Sequence, residues 1–454
     1  MPRNQISCYQ NRYKNFTFVY PRQKQPGNIA MHKTIFSFLF ISLFAVSFQH
    51  DGNANKKDDA PVIIDNAAKS RIDAALKSFV DSGEVAGVSA LIFEKNKEVY
   101  FNAVGYADRE AKTPMARNTI VRIYSMTKPI TGVALMQLYE KGAFQLDDPL
   151  SKYAPEFTNM KVYTGVDASG NMILESAKRP VTIRDITRHT AGFAIGTNLP
   201  VLNDLVKKTD PMNFNNTLSE MAKKLASLPL QFNPGDQWAY GPSVDVQAYL
   251  VERISGKPFD QYVKENILDP LQMVNTRYMV PESDRQRFAA LYRRDSIGKL
   301  NQVPEDENAF NLKNWPLKPG GFGLTSTLDD YMKFARMLVN EGVLGKTAIL
   351  KPETVQLMAT NQLSDTISQR MWLPTKGQVG FGIDFAVRLR PPASAAENNG
   401  VVGEFFWDGA ASTLFWVDPV NDITAVLFVQ VVPFDGKVHK RFRDAVYGGY
   451  TTSK

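Results

Sequence analysis

The chain has 454 residues, of which 44% are hydrophobic, 22% charged and 11% aromatic. Those proportions belong to a folded globular protein and exclude disordered and low-complexity classes, while the length allows one large domain or two lobes around a sizeable core. The formal net charge of +7 invites a nucleic-acid reading that the position of the charge removes.

Residues 1–54 differ from the rest. In "MHKTIFSFLFISLFAVSFQHDGNA", His32 and Lys33 precede an apolar run from Thr34 to Phe48, and Gly52-Asn53-Ala54 closes it with a small-x-small pattern. A short cationic start, an apolar run and small residues at its end predict a secretory signal peptide over 31–54. Residues 1–30 then read as an upstream, misassigned start. The run falls short of the about 20 residues a transmembrane helix needs, so no stable membrane span is expected after cleavage; the competing expectation is an uncleaved anchor. Six of the 53 basic residues and one of the 46 acidic residues lie in 1–54, leaving 47 against 45, a net +2. The excess is mostly leader, and no nucleic-acid partner is expected. Cys8, the single cysteine, lies there too. An exported bacterial protein, periplasmic or secreted, with a core that needs no disulfide is the expectation.

Further along, Asp65–Val80 carries Ile72, Ala75, Leu76 and Phe79 at helical spacing, a surface helix with one buried face. "GVSALIFEKNKEVYFNAVGYAD" gives two β-rich runs about Lys95-Asn96-Lys97, a hairpin. An apolar helix containing Ser125 follows. From about Asp147 to Arg293 the chain reads as helical and Pro-punctuated, without a convincing run of alternating strands. "GGFGLTSTLDDYMKFARMLVNEG" is a Gly-rich loop and an amphipathic helix on Leu328, Tyr331, Phe334 and Leu338. "STLFWVDPVNDITAVLFVQ" reads as strand, turn at 418–421, and strand, with a closing helix at His439–Tyr447. Strands at both ends and helices between predict an α/β (α+β) fold. Its antiparallel sheet is built from both termini (about 60–145 and 295–454) and flanked by helices, with a mostly helical lobe at about 146–294. The cleft between them is the default binding site.

The candidate chemistry narrows by elimination. Beyond the leader only His189 and His439 remain, with no H-e-x-x-H pattern, so no metal or other cofactor is expected. No G-x-S-x-G elbow exists, and His189 in "TRHTAGF" reads as a hydrogen-bonded structural histidine. Ser125 and Lys128 remain. A lysine one turn along the same helix lies on the serine's face. Burial would strip its charge, giving a neutral amine able to take the serine proton. The helix start offers unpaired N–H groups to a developing oxyanion. Pro129, tolerated only in a first turn, places Ser125 at that start. Spacing alone is weak evidence. Ser296 and Lys299 repeat it in "RRDSIGKLNQ", which reads as a polar surface loop. Tyr240, ahead of an amphipathic helix, is a second element: beside a Ser/Lys pair its phenol pKa is expected to fall, letting it relay a proton. "GEFFWDGAASTLFWVDP" is the third, with Gly409 allowing close approach and the Ala410 N–H a second oxyanion donor, ahead of a probable edge strand.

In this order and spacing the three elements resemble the serine β-lactamase and penicillin-binding protein superfamily, nearest its class C-like branch with the family VIII carboxylesterases. The likeness runs over essentially all of 55–454. It implies a β-lactamase/DD-peptidase-like fold, with Ser125 as acylated nucleophile, Lys128 as its base and Tyr240 as proton relay. The Ser125 and Ala410 N–H groups would form the oxyanion hole. Two departures bear on substrate. Where the family usually has Tyr-x-Asn, the third residue is Pro242; where its third motif is typically Lys-Thr-Gly, Trp407 stands in place of the lysine. Each lost polar contact is worth about 1–3 kcal/mol of recognition, and an aromatic at 407 suits a neutral acyl group. The expectation is therefore an exported serine esterase acting on small-molecule esters of short or medium acyl chain. Alternatives are a β-lactamase or a D-amino acid peptidase or amidase acting on cell-wall-type substrates, and a catalytically silent binding protein of the same fold. Trp407, Gly409 and Phe322 are the expected substrate-binding residues, with Trp372, Phe405 and Phe406 as further pocket walls that core packing explains equally well. The sequence leaves the oligomeric state open.

Overall fold

The computed structural model describes residues 61–451, all within one compact unit; the leader expected over 1–54 lies outside the described residues. The first helix forms over Asn66–Asp81. Asp65 caps it, its carboxylate accepting the Ala68 N–H at 2.7 Å, and Ala68, Ile72, Leu76 and Phe79 form the buried stripe. The hairpin forms as Gly87–Glu94 and Lys97–Asp108, with Lys95 and Asn96 both at positive φ. That is the twist a two-residue turn needs between antiparallel strands.

These strands join an eight-stranded sheet drawn from both ends of the described chain. Its order is Val379–Phe381, Ala386–Arg388, Phe405–Asp408, Leu414–Asp418, Ile423–Val429, Gly87–Glu94, Lys97–Asp108, Thr113–Pro114, and every pairing is antiparallel. Strand Phe405–Asp408 therefore lies inside the sheet. The edge position expected for the strand after 407–410 is corrected: Leu414–Asp418 lies between Phe405–Asp408 and Ile423–Val429, and the short pair at 379–388 adds two further strands outside them. Alternation puts helices on both faces. Phe415 meets Tyr331 of helix Leu328–Val339 at 5.0 Å between ring centroids. Its neighbour Trp416 meets Phe442 of helix Gly436–Tyr447 at 5.5 Å on the other side.

Between the sheet segments lie helices Ile183–Thr187, Pro200–Thr209, Leu218–Ala226, Ser243–Ser255 and Phe259–Val263. This region also holds a hairpin, Lys161–Val166 with Met172–Ser176, where no strands were expected. Its sequence hides it because much of it faces solvent, with Val166, Ile173 and Leu174 all exposed; without a buried face there is no apolar alternation. The second Ser-x-x-Lys occurrence is a surface turn, between strands Tyr292–Arg294 and Leu300–Gln302, with Ile297 85% exposed. Among the described residues no helix is long and apolar enough to cross a membrane.

Helix Thr127–Glu140 is the central element. Every residue from Thr127 to Met136 is buried, as befits a helix enclosed on all sides. Its close packing has a test at Gly132. A β-carbon there would lie 2.6 Å from Asp384 Oδ2 and 3.2 Å from Asp384 Cβ. Asp384 is fully buried, sits at positive φ, and its Oδ1 accepts Gln247 Nε2 at 3.0 Å, so it has little room to yield. Alanine normally helps a helix by about 1 kcal/mol over glycine; here overpacking of about 1–3 kcal/mol outweighs that. Gly132→Ala is expected to lower the thermal midpoint. A raised midpoint in a calorimetric scan would show that the helix and Asp384 are not in contact.

Candidate active site

Chain entering this helix is sharply bent. After strand Val121–Arg122, Tyr124 takes a φ of +44°, and Ser125 sits in the 3-10 turn Tyr124–Met126 that runs directly into the helix. Ser125 was expected on the helix itself; it lies one turn ahead. Spacing three still brings the two side chains together, with Lys128 Nζ 3.2 Å from Ser125 Oγ. Pro129 is the third helical residue, where its missing N–H costs nothing. Tyr331 locks the bend by donating its hydroxyl to the Met126 carbonyl at 2.8 Å. Ser125 remains partly exposed, while Lys128 is only 4% exposed.

Burial decides the lysine's chemistry. Desolvation pulls its pKa from the ordinary 10.5 down to about 8, against the opposing pull of Asp245, Asp384 and Asp408. Nζ also donates to the Gly321 carbonyl at 2.6 Å, and the Gly321 N–H in turn donates to Asp245 Oδ1 at 2.9 Å. A neutral amine in this position keeps one hydrogen on Gly321 and has a lone pair for the Ser125 hydroxyl. Asp245 went unnoticed in the sequence, although a carboxylate in the apolar run "SVDVQAYLV" was a readable signal. Its side chain is buried and pushed up to about 6 by desolvation. Asp384 was also missed: its carboxyl, raised strongly by complete burial, is the second acid bearing on Lys128.

Tyr240 joins the pair, its ring centroid 4.5 Å from Lys128 Nζ. The expected fall in its pKa is reversed. Burial raises the phenol further than the Ser125 and Trp407 side chains can lower it, because an uncharged lysine supplies no cation to offset desolvation. The phenol thus stays protonated and serves as a hydrogen donor. Around it, His189 packs at 4.8 Å, Trp372 at 5.0 Å and Trp407 at 5.6 Å between centroids. His189 is fully buried and its ring nitrogens meet no hydrogen-bond partner. The expected hydrogen bonding is corrected: its ring is packed among Trp238, Tyr240 and Phe381.

The expected pocket residues divide. Trp407 is 1% exposed and backs the aromatic wall instead of presenting it; the partly exposed face belongs to Trp372. Phe322 is partly exposed beside Gly321 and stacks towards Phe310 and Phe214 at 5.8 and 6.5 Å. Phe405 and Phe406 are core residues, packed on Phe385 and under the Arg443 guanidinium. Pro242 is buried at the head of helix Ser243–Ser255. Gly409 is needed for packing within the protein: a β-carbon there would meet the Ile123 carbonyl oxygen and Thr413 Oγ1. Only glycine lets the 409–410 turn press against the segment that carries Ser125. Ala410 follows, partly exposed.

The described geometry is thus a reachable hydroxyl, a desolvated amine, a protonated phenol and a close-packed glycine turn. A family model described as Beta-lactamase matches residues 72–447. Protein Rv1367c of Mycobacterium tuberculosis is 32% identical over 367 residues, 79% of this chain and 89% of that protein. Esterase EstB of Burkholderia gladioli is 27% identical over 403 residues, 83% of this chain and 95% of its own. Among solved structures, EstCE1, described as a hydrolase with promiscuous acyltransferase activity, is 26% identical at a TM-score of 0.71, covering 85% of this chain and all of that one.

Proposed function

The chain belongs to the beta-lactamase family of serine hydrolases and acyltransferases, and on that premise we propose that it is an exported esterase that forms an acyl-enzyme on Ser125. The carrying observation is the desolvated lysine. Lys128 Nζ lies 3.2 Å from the Ser125 hydroxyl with its pKa near 8, so an appreciable fraction is neutral at neutral pH. The phenol of Tyr240 is pushed the other way, which favours Lys128 over Tyr240 as first proton acceptor.

In the proposed cycle Ser125 Oγ forms a bond to the ester carbonyl carbon while its proton passes to Lys128 Nζ. The carbonyl electron pair moves onto oxygen, facing the N–H groups of Ser125 and Ala410. Collapse breaks the bond to the alkoxide, which takes the Tyr240 hydroxyl proton as Lys128 resupplies it. Water then attacks the acyl-enzyme by the same route in reverse.

For substrate, Pro242 and Trp407 replace the amide- and carboxylate-recognising side chains, and Trp372, packed on Tyr240, and Phe322, next to the Gly321 that binds Lys128, offer partly exposed aromatic surface. These favour neutral esters of short or medium acyl chain over β-lactams or peptides. The esterase relatives support the same reading. The signal-like sequence at 31–54 supports export.

The test is a substrate panel with the purified protein. Hydrolysis of p-nitrophenyl butyrate is expected to exceed that of nitrocefin by about 100-fold in kcat/KM, from two lost polar contacts at about 1–3 kcal/mol each. Rapid nitrocefin turnover without ester turnover would replace the esterase reading by a β-lactamase. Cleavage of a D-alanyl-D-alanine peptide alone would make it a peptidase. A fluorophosphonate that fails to label the protein would point to a silent binding protein.

A further inference from the structure

Behind the proposed oxyanion turn lies a buried charged cluster that enters the chemistry above only through the pull of Asp408 on Lys128. Strand Phe405–Asp408 ends at Asp408, immediately before the turn. The turn closes on itself, the Gly409 N–H donating to the Thr413 carbonyl at 2.9 Å and the Ser412 N–H to the Gly409 carbonyl at 2.9 Å. Alternation sends Trp407 towards Tyr240 and Asp408 to the opposite face. There Asp408 is paired with Lys376, and His439 Nδ1 lies 4.0 Å from its carboxylate. The side chains of Lys376 and Asp408 are only 8% and 9% exposed.

Lys376 is also enclosed by aromatic rings, with Nζ 4.2 Å from the centroid of Phe434, 5.2 Å from Trp372 and 5.7 Å from Trp407. At the far end of the turn, His439 Nε2 lies 2.9 Å from the Ser412 carbonyl oxygen. The Ser412 hydroxyl donates to the Val431 carbonyl at 3.2 Å and accepts the Asp435 N–H at 3.0 Å. The turn is therefore held at both ends, by Asp408 on one side and Ser412 on the other, and His439 reaches both. A buried ion pair is poor value as a stabiliser, since desolvation offsets most of its attraction; its better-attested use is to fix geometry.

Resting on the esterase reading, we infer that Lys376, through Asp408 and with His439, is a positioning residue that aims the Ala410 N–H at the oxyanion formed on Ser125. Lys376 follows Trp372 by four residues in the turn Leu373–Lys376, so the same pair ties the exposed aromatic wall to the strand. An ammonium group thus stands behind Trp407, although the sequence shows none at the third motif. It acts on the turn rather than on the substrate.

An interaction felt only by the tetrahedral state lowers kcat when lost and leaves KM nearly unchanged. Lys376→Met is expected to reduce kcat for p-nitrophenyl butyrate by about 10- to 100-fold, a fraction of the loss seen when an oxyanion donor itself is removed. The rate is normalised to active sites counted by fluorophosphonate labelling. Lys376→Met leaves Asp408 buried without its partner, so the double variant Lys376→Met/Asp408→Asn, which buries no charge at the pair, is measured alongside. Lys376→Arg is expected to recover part of the rate, because it restores a cation opposite the Asp408 carboxylate. Wild-type kcat per labelled site in the double variant would overturn the assignment, as would a loss confined to KM. If the wild-type protein neither hydrolyses the ester nor takes the label, the esterase reading fails first and the positioning role falls with it.

Discussion

Ser125→Ala is expected to lower p-nitrophenyl butyrate hydrolysis by at least about 10⁴-fold and to abolish fluorophosphonate labelling, with the thermal midpoint unchanged within about 2 °C. The rate loss follows from removing the nucleophile, since what remains after such a change is the modest contribution of binding and oxyanion stabilisation. The unchanged midpoint follows from position. Ser125 is partly exposed, and its backbone lies in the 3-10 turn whose bend is held from Met126 by Tyr331. Deleting one hydroxyl there leaves the turn's own contacts in place. It also leaves Lys128 bonded to the Gly321 carbonyl, so the amine is not stranded. Labelling that survives in Ser125→Ala would move the nucleophile elsewhere. Rate and midpoint collapsing together would mean the serine is structural.

How much of this could be read beforehand depends on where the signal is local. Thr127–Glu140 was legible because apolar residues fill it and Pro129 fits only a first turn. Four strands of the main sheet were legible because each has a buried face and a turn beside it, Lys95-Asn96 between Gly87–Glu94 and Lys97–Asp108 and Asp418–Asn421 between Leu414–Asp418 and Ile423–Val429. Those same rules failed for Lys161–Ser176, a hairpin with exposed apolar residues and no core face to print a pattern. They failed again at Leu414–Asp418, which is interior rather than at an edge, because the strands outside it at 379–388 and 405–408 are only three or four residues long and print no pattern. In the site, Ser125, Lys128 and Tyr240 stood out through their immediate contexts. Asp245 left a local signal, a carboxylate in an apolar run, but Asp384 and Lys376 did not, because what matters about them is long-range: Asp384 touches the helix at Gly132, 252 residues earlier, and Lys376 meets Asp408 across a change of element. The direction of the Tyr240 shift was misjudged for a related reason. Proximity to a lysine suggests a lowered phenol pKa, but burial acts on both groups at once, and a lysine that has lost its charge cannot stabilise a phenolate.

Lys128 therefore carries the sharpest prediction, because two roles for it predict opposite outcomes. As a base it must be neutral. Its pKa is depressed to about 8, so ester turnover at limiting substrate is expected to fall as pH drops through 8, approaching tenfold per unit below it. Lys128→Met should cost about 10³- to 10⁴-fold in kcat and remove that acid limb. For stability, the folded-state pKa lies below the ordinary 10.5. The unfolded chain then holds its proton more tightly, and stability is lost as pH falls from about 10.5 to about 8, by about 3 kcal/mol in all at neutral pH. Methionine escapes that penalty. Against this stand the Gly321 carbonyl, left without its donor at about 1–3 kcal/mol, and Asp245, left without a nearby amine. The terms are of similar size, so the midpoint of Lys128→Met should stay within a few degrees of the wild type. A lysine serving instead as a charged structural anchor for Asp245 would behave differently: removing one partner of a buried ion pair costs about 3–5 kcal/mol. The midpoint would then fall by many degrees, and the wild-type rate would be flat from pH 6 to 9. That pair of results would exclude a lysine base, whereas an inactive variant of near-native stability with its acid limb gone requires one.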